Sequence, residues 1–255
     1  MDEINQSTVG AHKLAKPALF AFITAEAVLY ALFLRIDFFG GPSTRSALYK
    51  YAGILLCLTC ASIRAVTLKN TTSRLIAAAL FFTCISDYFL LFTDSYLPGV
   101  LCFCVTQTLY LFVLLQDRQL NLKLRHIAPG LALSAALLII TSLMGEPDLL
   151  IAAGVFYAYS FVRNIVLALS LCLKKKPVPG LKPSVFAVGL VIFALCDINV
   201  LLYNLPLLFD IHSHLLISLF DVIGTLMWVF YLPSQVLLAL SAKNSLTDNR
   251  DICRI

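Results

Sequence analysis

An all-α, polytopic membrane bundle of eight transmembrane helices with both termini inside is the fold this sequence predicts. Three observations lead to it. The 255 residues are 60% hydrophobic and only 13% charged, with a mean hydropathy of +0.90, whereas soluble domains are about 25% charged. Apolar runs of about 20 residues, enough to cross a hydrocarbon core, recur along the chain with short polar breaks. The basic residues are concentrated on alternate sides of those runs, as in a chain whose loops set its orientation in a membrane.

The elements follow in order. Polar residues 1–16, which lack a signal-peptide cleavage pattern, are read as a cytoplasmic tail. Helices are expected near 17–36, 48–68, 74–94, 97–116, 126–145, 149–173, 183–205 and 213–241, so that 17–241 is the transmembrane domain and 242–255 a polar cytoplasmic tail. The breaks carry turn chemistry: Gly40-Gly41-Pro42, Pro98-Gly99, Gly145-Glu146-Pro147 and the stretch from Lys174 to Gly180. With this layout fifteen Lys and Arg residues fall on the side of the termini, among them Arg64, Lys69, Arg74, Arg118, Lys123, Arg125, Lys174, Lys175, Lys176 and Lys182. The opposite side holds three, Arg35, Arg45 and Lys50, and its other loops carry the acids Asp94, Glu146, Asp148 and Asp210. This distribution accounts for the net charge of +5 without a nucleic-acid partner. Seven of the eight cysteines lie within expected spans, Cys253 being the exception, and there they act as small apolar residues. Cys57 and Cys60 form a CxxC with no second pair, so neither a metal nor another cofactor is expected.

Asp87 and Asp197 each stand inside a long apolar run, where an unpaired charge costs at least roughly 2.5–3.5 kcal/mol. Asp87 is thirteen residues after Arg74, and Asp197 fourteen after Pro183, which puts both roughly 20 Å from the cytoplasmic side. Asp94 and Asn204 follow at a spacing of seven, on the same faces. FCVTQTLY (103–110) aligns with YLPSQVLL (231–238), matching Gln107 with Gln235 and suggesting that the third and fourth helices are echoed by the seventh and eighth. Glu26, and Arg163 with Asn164, are placed about 15 Å deep. Three acids and one strong base cannot all pair, so one carboxyl is expected to stay protonated. Arg163 with one acid would also make a structural pair between helices. Tyr110, Tyr157, Tyr159, Tyr203 and Tyr231 can line the same site or anchor helices at the interface.

The four histidines, His12, His126, His212 and His214, lie in tails, loops or helix ends, so a zinc site at the depth of the aspartates is not expected. No GxSxG, P-loop or Gly-rich nucleotide turn occurs. Any chemistry falls to the carboxyls.

The motifs ISDYFLL and LCDINVLL, the helix-four segment ending QTLY and the closing YLPSQVLLALS resemble the YhhN-like family, which includes the lysoplasmalogenases of the transmembrane protein 86 group. The resemblance covers nearly the whole chain and implies the same eight-helix layout. It departs at Gln107, where many members have His, and at Cys196, where they have Ser. It implies hydrolysis of the vinyl-ether bond of a lysoplasmalogen, giving a fatty aldehyde and a glycerophospho-alcohol. Asp87 and Asp197 are then the expected catalytic pair, their carboxyls on the order of 5–9 Å apart as in two-carboxyl hydrolases. Gln107, Tyr110, Arg163, Asn164, Tyr231, Gln235 and Glu26 are the expected substrate-binding residues. The partners implied are the lysophospholipid and membrane lipids, with homodimerisation left open. The compartment is the cell membrane of a bacterium or the endoplasmic reticulum of a eukaryote. Paired intramembrane acids on repeated helices equally suit a proton-coupled transporter or a lipid-binding protein, and a bundle whose acids only satisfy their neighbours is the plain structural alternative.

The basic asymmetry predicts a topology. A cysteine introduced at position 178 should resist impermeant thiol labelling from outside intact cells; labelling from outside would reverse the assignment.

Overall fold

The computed structural model describes residues 2–41, 43–93, 95–209 and 214–244, with side chains described over 16–204 and 223–244 within these ranges. Among them the chain forms eight helices: α1 (Asp2–Gly40), α2 (Thr44–Leu68), α3 (Thr71–Phe92), α4 (Tyr96–Leu114), α5 (Leu120–Leu143), α6 (Leu149–Leu173), α7 (Pro183–Phe209) and α8 (His214–Leu240). Each carries a stretch long and apolar enough to cross a membrane. The protein is an integral, multi-pass, all-helical membrane protein.

Several helices begin earlier than hydropathy alone places them, and capping chemistry explains two of these shifts. The Ser43 side chain accepts the Ser46 N–H at 3.3 Å and starts α2 at Thr44. Asn70 Oδ1 accepts the Ser73 N–H at 2.8 Å and starts α3 at Thr71. Asp148 accepts the Ile151 N–H at 2.9 Å and starts α6 where it is expected. These polar side chains satisfy N–H groups that the first turn leaves free. Helix α1 runs back through the polar residues to Asp2 rather than starting at 17.

Helices α2, α3, α4, α6, α7 and α8 pack in that order into a closed ring, with α1 outside it against α2 and α8, and α5 outside it chiefly against α6. The packing order of the first four helices is repeated by the second four, and the tightest pairs are α3 with α4 and α7 with α8. The correspondence legible in FCVTQTLY and YLPSQVLL therefore extends to two four-helix halves.

One end of the ring is knitted together by its loops. Leu181 and Ala242 form an antiparallel bridge, with Lys182 N–H donating to Ser241 O and Lys243 N–H to Gly180 O, both at 2.7 Å. Asn70 Nδ2 donates to Lys243 O at 2.8 Å, the Arg64 guanidinium donates to Ala242 O, and the Thr72 hydroxyl sits 2.6 Å from Pro179 O beside the Gln116 side chain. Gly180 is required here: its φ is +67°, and a Cβ would lie 2.9 Å from Asn70. Burial, then the nearby Arg64 and Lys243, holds the Lys182 ammonium below its usual range. This clasp lies at the end that carries most of the basic residues.

Asn70 both caps α3 and ties α8's end to it. Asn70→Ala should lower stability by about 1–2 kcal/mol, read as a reduced thermal unfolding midpoint in detergent with helical content unchanged.

Candidate functional site

Asp87 lies on α3, only 3% exposed. The neighbouring Ser86 hydroxyl donates to Gly99 O at 2.7 Å, locking this turn of α3 against the start of α4. Tyr231 of α8 reaches both carboxylate oxygens of Asp87 with its phenol oxygen, at 2.8 Å each. Two residues further along α8 stands Pro233. Its missing N–H leaves Val229 O without a helical donor, and Tyr30 of α1 donates to that carbonyl at 3.1 Å. Ser234 Oγ donates to Tyr231 O at 2.6 Å. The proline break is thus satisfied from a neighbouring helix, and it fixes where Tyr231 stands.

Asp197 lies on α7 and is partly buried. The phenol of Tyr157, on α6, donates to Asp197 Oδ2 at 2.7 Å. The two aspartate–tyrosine pairs meet around Phe193 and Cys196. Phe193 is one turn before Asp197; its ring lies 5.4 Å from that of Tyr231, 4.9 Å from Phe161 and 6.0 Å from Phe103. Phe161 and Phe103 in turn flank Tyr157, at 5.8 and 5.7 Å. Cys196 is within electrostatic reach of both carboxyls, and the two phenols are within reach of each other.

Gln107, Asn164 and Arg163 form a chain leading to the second pair. Asn164 Nδ2 donates to Gln107 O at 2.7 Å and to Gln107 Oε1 at 2.9 Å. Gln107 Nε2 has no partner of good geometry and faces the Tyr157 phenol. Arg163 Nε and Nη2 donate to Asn164 Oδ1 at 3.3 and 3.1 Å, and Nη1 to His126 O at 2.9 Å. The expectation that Arg163 pairs with an intramembrane acid is therefore corrected. Helix periodicity explains it: Tyr157, Phe161, Asn164 and Ala168 share the inward face of α6, and Arg163 is rotated from them toward α5.

The remaining expected residues do not touch the aspartates. Glu26 Oε1 accepts from Cys57 Sγ at 3.2 Å, and its Oε2 is buried without a partner. The Tyr110 hydroxyl is also unpartnered; its ring packs edge-on against Phe186 at 5.3 Å, and it lies within electrostatic reach of Cys57. Gln235 Nε2 donates to Ser234 Oγ at 3.3 Å, leaving Oε1 unpartnered. Asn204 donates to Val200 O of its own helix at 2.7 Å rather than extending a polar stripe from Asp197. Asp94 and Asp210 lie outside the described residues. Buried, orphaned polar atoms are places for water or ligand atoms; Glu26 Oε2, Gln107 Nε2, Tyr110 Oη and Gln235 Oε1 are four of them.

In the sequence Tyr157 is one of several candidate tyrosines, and no motif marks Phe193. The α6 periodicity from Tyr157 to Asn164 and the one-turn spacing of Phe193 from Asp197 are the signals that point to them. Lys50 reads from the sequence as a loop charge. Lys50 is a buried residue of α2, paired with Asp37 at 2.7 Å, its ammonium 4.9 Å from the Trp228 ring centroid. Among the described residues no cluster of three metal-ligating side chains is present.

A family model described as the YhhN family matches residues 45–242, and the chain belongs to that family. Comparison with curated proteins and with solved structures returns no match.

The phenols make a testable structural contribution. Tyr231→Phe strips both Asp87 oxygens of their donor and should cost about 1–3 kcal/mol of stability. Tyr157→Phe should cost less, because Asp197 is partly exposed. Unfolding midpoints of the purified variants in detergent check the ranking.

Proposed function

We propose that this member of the YhhN family hydrolyses the vinyl-ether bond of lysoplasmalogens, with Asp87 and Asp197 as the acid/base pair. The observation that carries the reading is that two carboxyls on different helices, each holding a tyrosine phenol, converge on one aromatic surround inside the bundle.

The chemistry asks for such a pair. A vinyl ether is opened by a proton added to its β-carbon, which leaves an oxocarbenium ion at the carbon beside oxygen. Water adds at that carbon and gives up a proton, and the hemiacetal collapses as the glycerol oxygen takes a proton and leaves. The sum is one water consumed, one fatty aldehyde and one glycerophospho-alcohol formed. One carboxylic acid supplies the first proton; the other, as carboxylate, steadies the cation, orients the water and receives its proton, the division of labour used by two-carboxyl glycosidases. The phenols of Tyr157 and Tyr231 can turn from the carboxylates to the ether oxygen. Gln107, next to Tyr157, and the orphaned atoms of Glu26, Tyr110 and Gln235 are donors and acceptors for water and glycerol hydroxyls.

A second reading, proton-coupled transport or lipid binding without hydrolysis, draws on the repeated four-helix halves. Detergent separates the two, because transport needs a sealed compartment and hydrolysis does not.

Purified protein incubated with lysoplasmalogen should release free aldehyde. Asp87→Asn and Asp197→Asn should each reduce the rate by roughly 10²-fold or more while remaining folded and monodisperse, since Asn keeps an oxygen for the phenol. Gln107→His should be tolerated. Wild-type turnover in both Asn variants would reject the two-carboxyl mechanism, and no aldehyde from wild type across a panel of head groups would hand the protein to the second reading.

A further inference from the structure

A groove of about 570 Å³ runs between α5 and α6 on the outside of the ring, lined by His126, Leu133, Val155, Tyr159, Val162 and Arg163 among others. Its flanks face the bilayer: Leu133 is 52% exposed and Val162 61%. Arg163, 8% exposed, is its strong cation. Tyr159 forms the surface beside the guanidinium, whose carbon is 5.8 Å from the ring centroid, and the Tyr159 hydroxyl donates to His126 O at 3.3 Å. Tyr159 is seated against Gly130 of α5, where a Cβ would lie 2.5 Å from the ring. Pro129, inside α5, has no N–H to donate to the carbonyl one turn back.

Among the described residues no carboxylate answers the charge of Arg163. Its three hydrogen bonds go to the neutral oxygens of Asn164 and His126, two of its five N–H groups are left over, and the ion pair found among the described residues is Lys50 with Asp37, not Arg163. A buried cation at this depth is costly without a counter-charge. The surroundings that could supply one combine an apolar, lipid-facing channel with a single guanidinium, and the complementary molecule has hydrocarbon chains and one anionic oxygen cluster. The guanidinium reaches to His126, which stands six residues into α5, about 9 Å from its start. That is within range of a phospholipid head group drawn slightly into the protein.

We propose that the α5–α6 groove is a binding site for a membrane glycerophospholipid, its phosphate held by Arg163 and its chains lying along Leu133, Val155 and Val162. The site is separate from the aspartates and does not require the hydrolase reading. The Arg163–Asn164–Gln107 chain joins it to the Tyr157–Asp197 pair, so a bound phosphate orders side chains on which that pair rests.

Native mass spectrometry of delipidated protein titrated with dioleoylphosphatidylglycerol, dioleoylglycerol or inorganic phosphate tests this. Wild type should retain one phosphatidylglycerol at low lipid excess, bind dioleoylglycerol at least tenfold more weakly, and keep its phospholipid against millimolar inorganic phosphate. Arg163→Gln should weaken phosphatidylglycerol binding by roughly 10–100-fold, with Arg163→Lys intermediate. Ala158→Phe fills the groove from its exposed side while keeping the cation, and should weaken binding at least tenfold; it decides the matter if Arg163→Gln fails to fold. Equal retention of phosphatidylglycerol and dioleoylglycerol, undiminished binding in folded Arg163→Gln or Ala158→Phe, or displacement by inorganic phosphate would overturn the proposal.

Discussion

A carboxyl group within a membrane-spanning helix has to be answered by a donor, because there is no solvent to do it. Of the carboxyls that stand in spanning helices, those on α3 and α7 are both answered by tyrosine phenols from other helices: Asp87 by Tyr231 of α8, Asp197 by Tyr157 of α6. Neither bond lies within the closely packed α3–α4 or α7–α8 pair. Those pairs are held by close packing, while the phenol–carboxyl bonds tie α3 to α8 and α6 to α7 and set how the pairs meet their neighbours. In a bilayer, where apolar contact between helices gains little over contact with lipid, such polar cross-links and close approaches decide the arrangement.

The two halves of the bundle share a packing order but not a donor set, and the difference has a chemical consequence. The residue that aligns with Tyr231 is Phe103, which has no hydroxyl to give. Tyr157 from α6 takes over, and Phe103 packs against its ring. Asp87 therefore has a phenol within reach of both oxygens and is almost fully buried, whereas Asp197 has one oxygen engaged and is partly open. A repeat would give two equivalent carboxyls. The divergence at one aromatic position gives two unlike ones, and unlike environments are what an acid and a base drawn from the same residue type require.

The helices were legible because membrane spans are written in composition and length; eight runs and eight helices agree. Their ends were less so, since Ser43 and Asn70 extend α2 and α3 by side-chain capping that a hydropathy window averages away. Asp87 and Asp197 stood out because charge in an apolar run is rare. Their partners did not, because a tyrosine in such a run reads equally as anchor or ligand, and only the tertiary packing says which helix it faces. Arg163 was placed with the acids by depth alone. Depth does not specify azimuth, and a rotation of one residue on α6 turns it from the interior toward α5. The Asp37–Lys50 pair was hidden for a related reason: each residue is close to a helix end, where a charge ordinarily reads as solvated.

Access to the aspartates is constrained by the same features. At the end of the ring bearing most of the basic residues, the Leu181–Ala242 bridge and the Asn70, Thr72 and Arg64 contacts draw four segments together. Of the two carboxyls, Asp197 is the less enclosed, and around it on α7 the side chains of Leu195, Ile198 and Leu201 face outward at 40–58% exposure. An apolar chain approaching Asp197 therefore meets hydrocarbon-like surface from the bilayer side, with the knitted loops standing away from its path. For the proposed reaction this is the favourable order of events. The lipid tail stays in a medium like its own, while the ether oxygen is brought to the phenol of Tyr157, whose position is set by the stack on Phe161 and by Gln107 beside it.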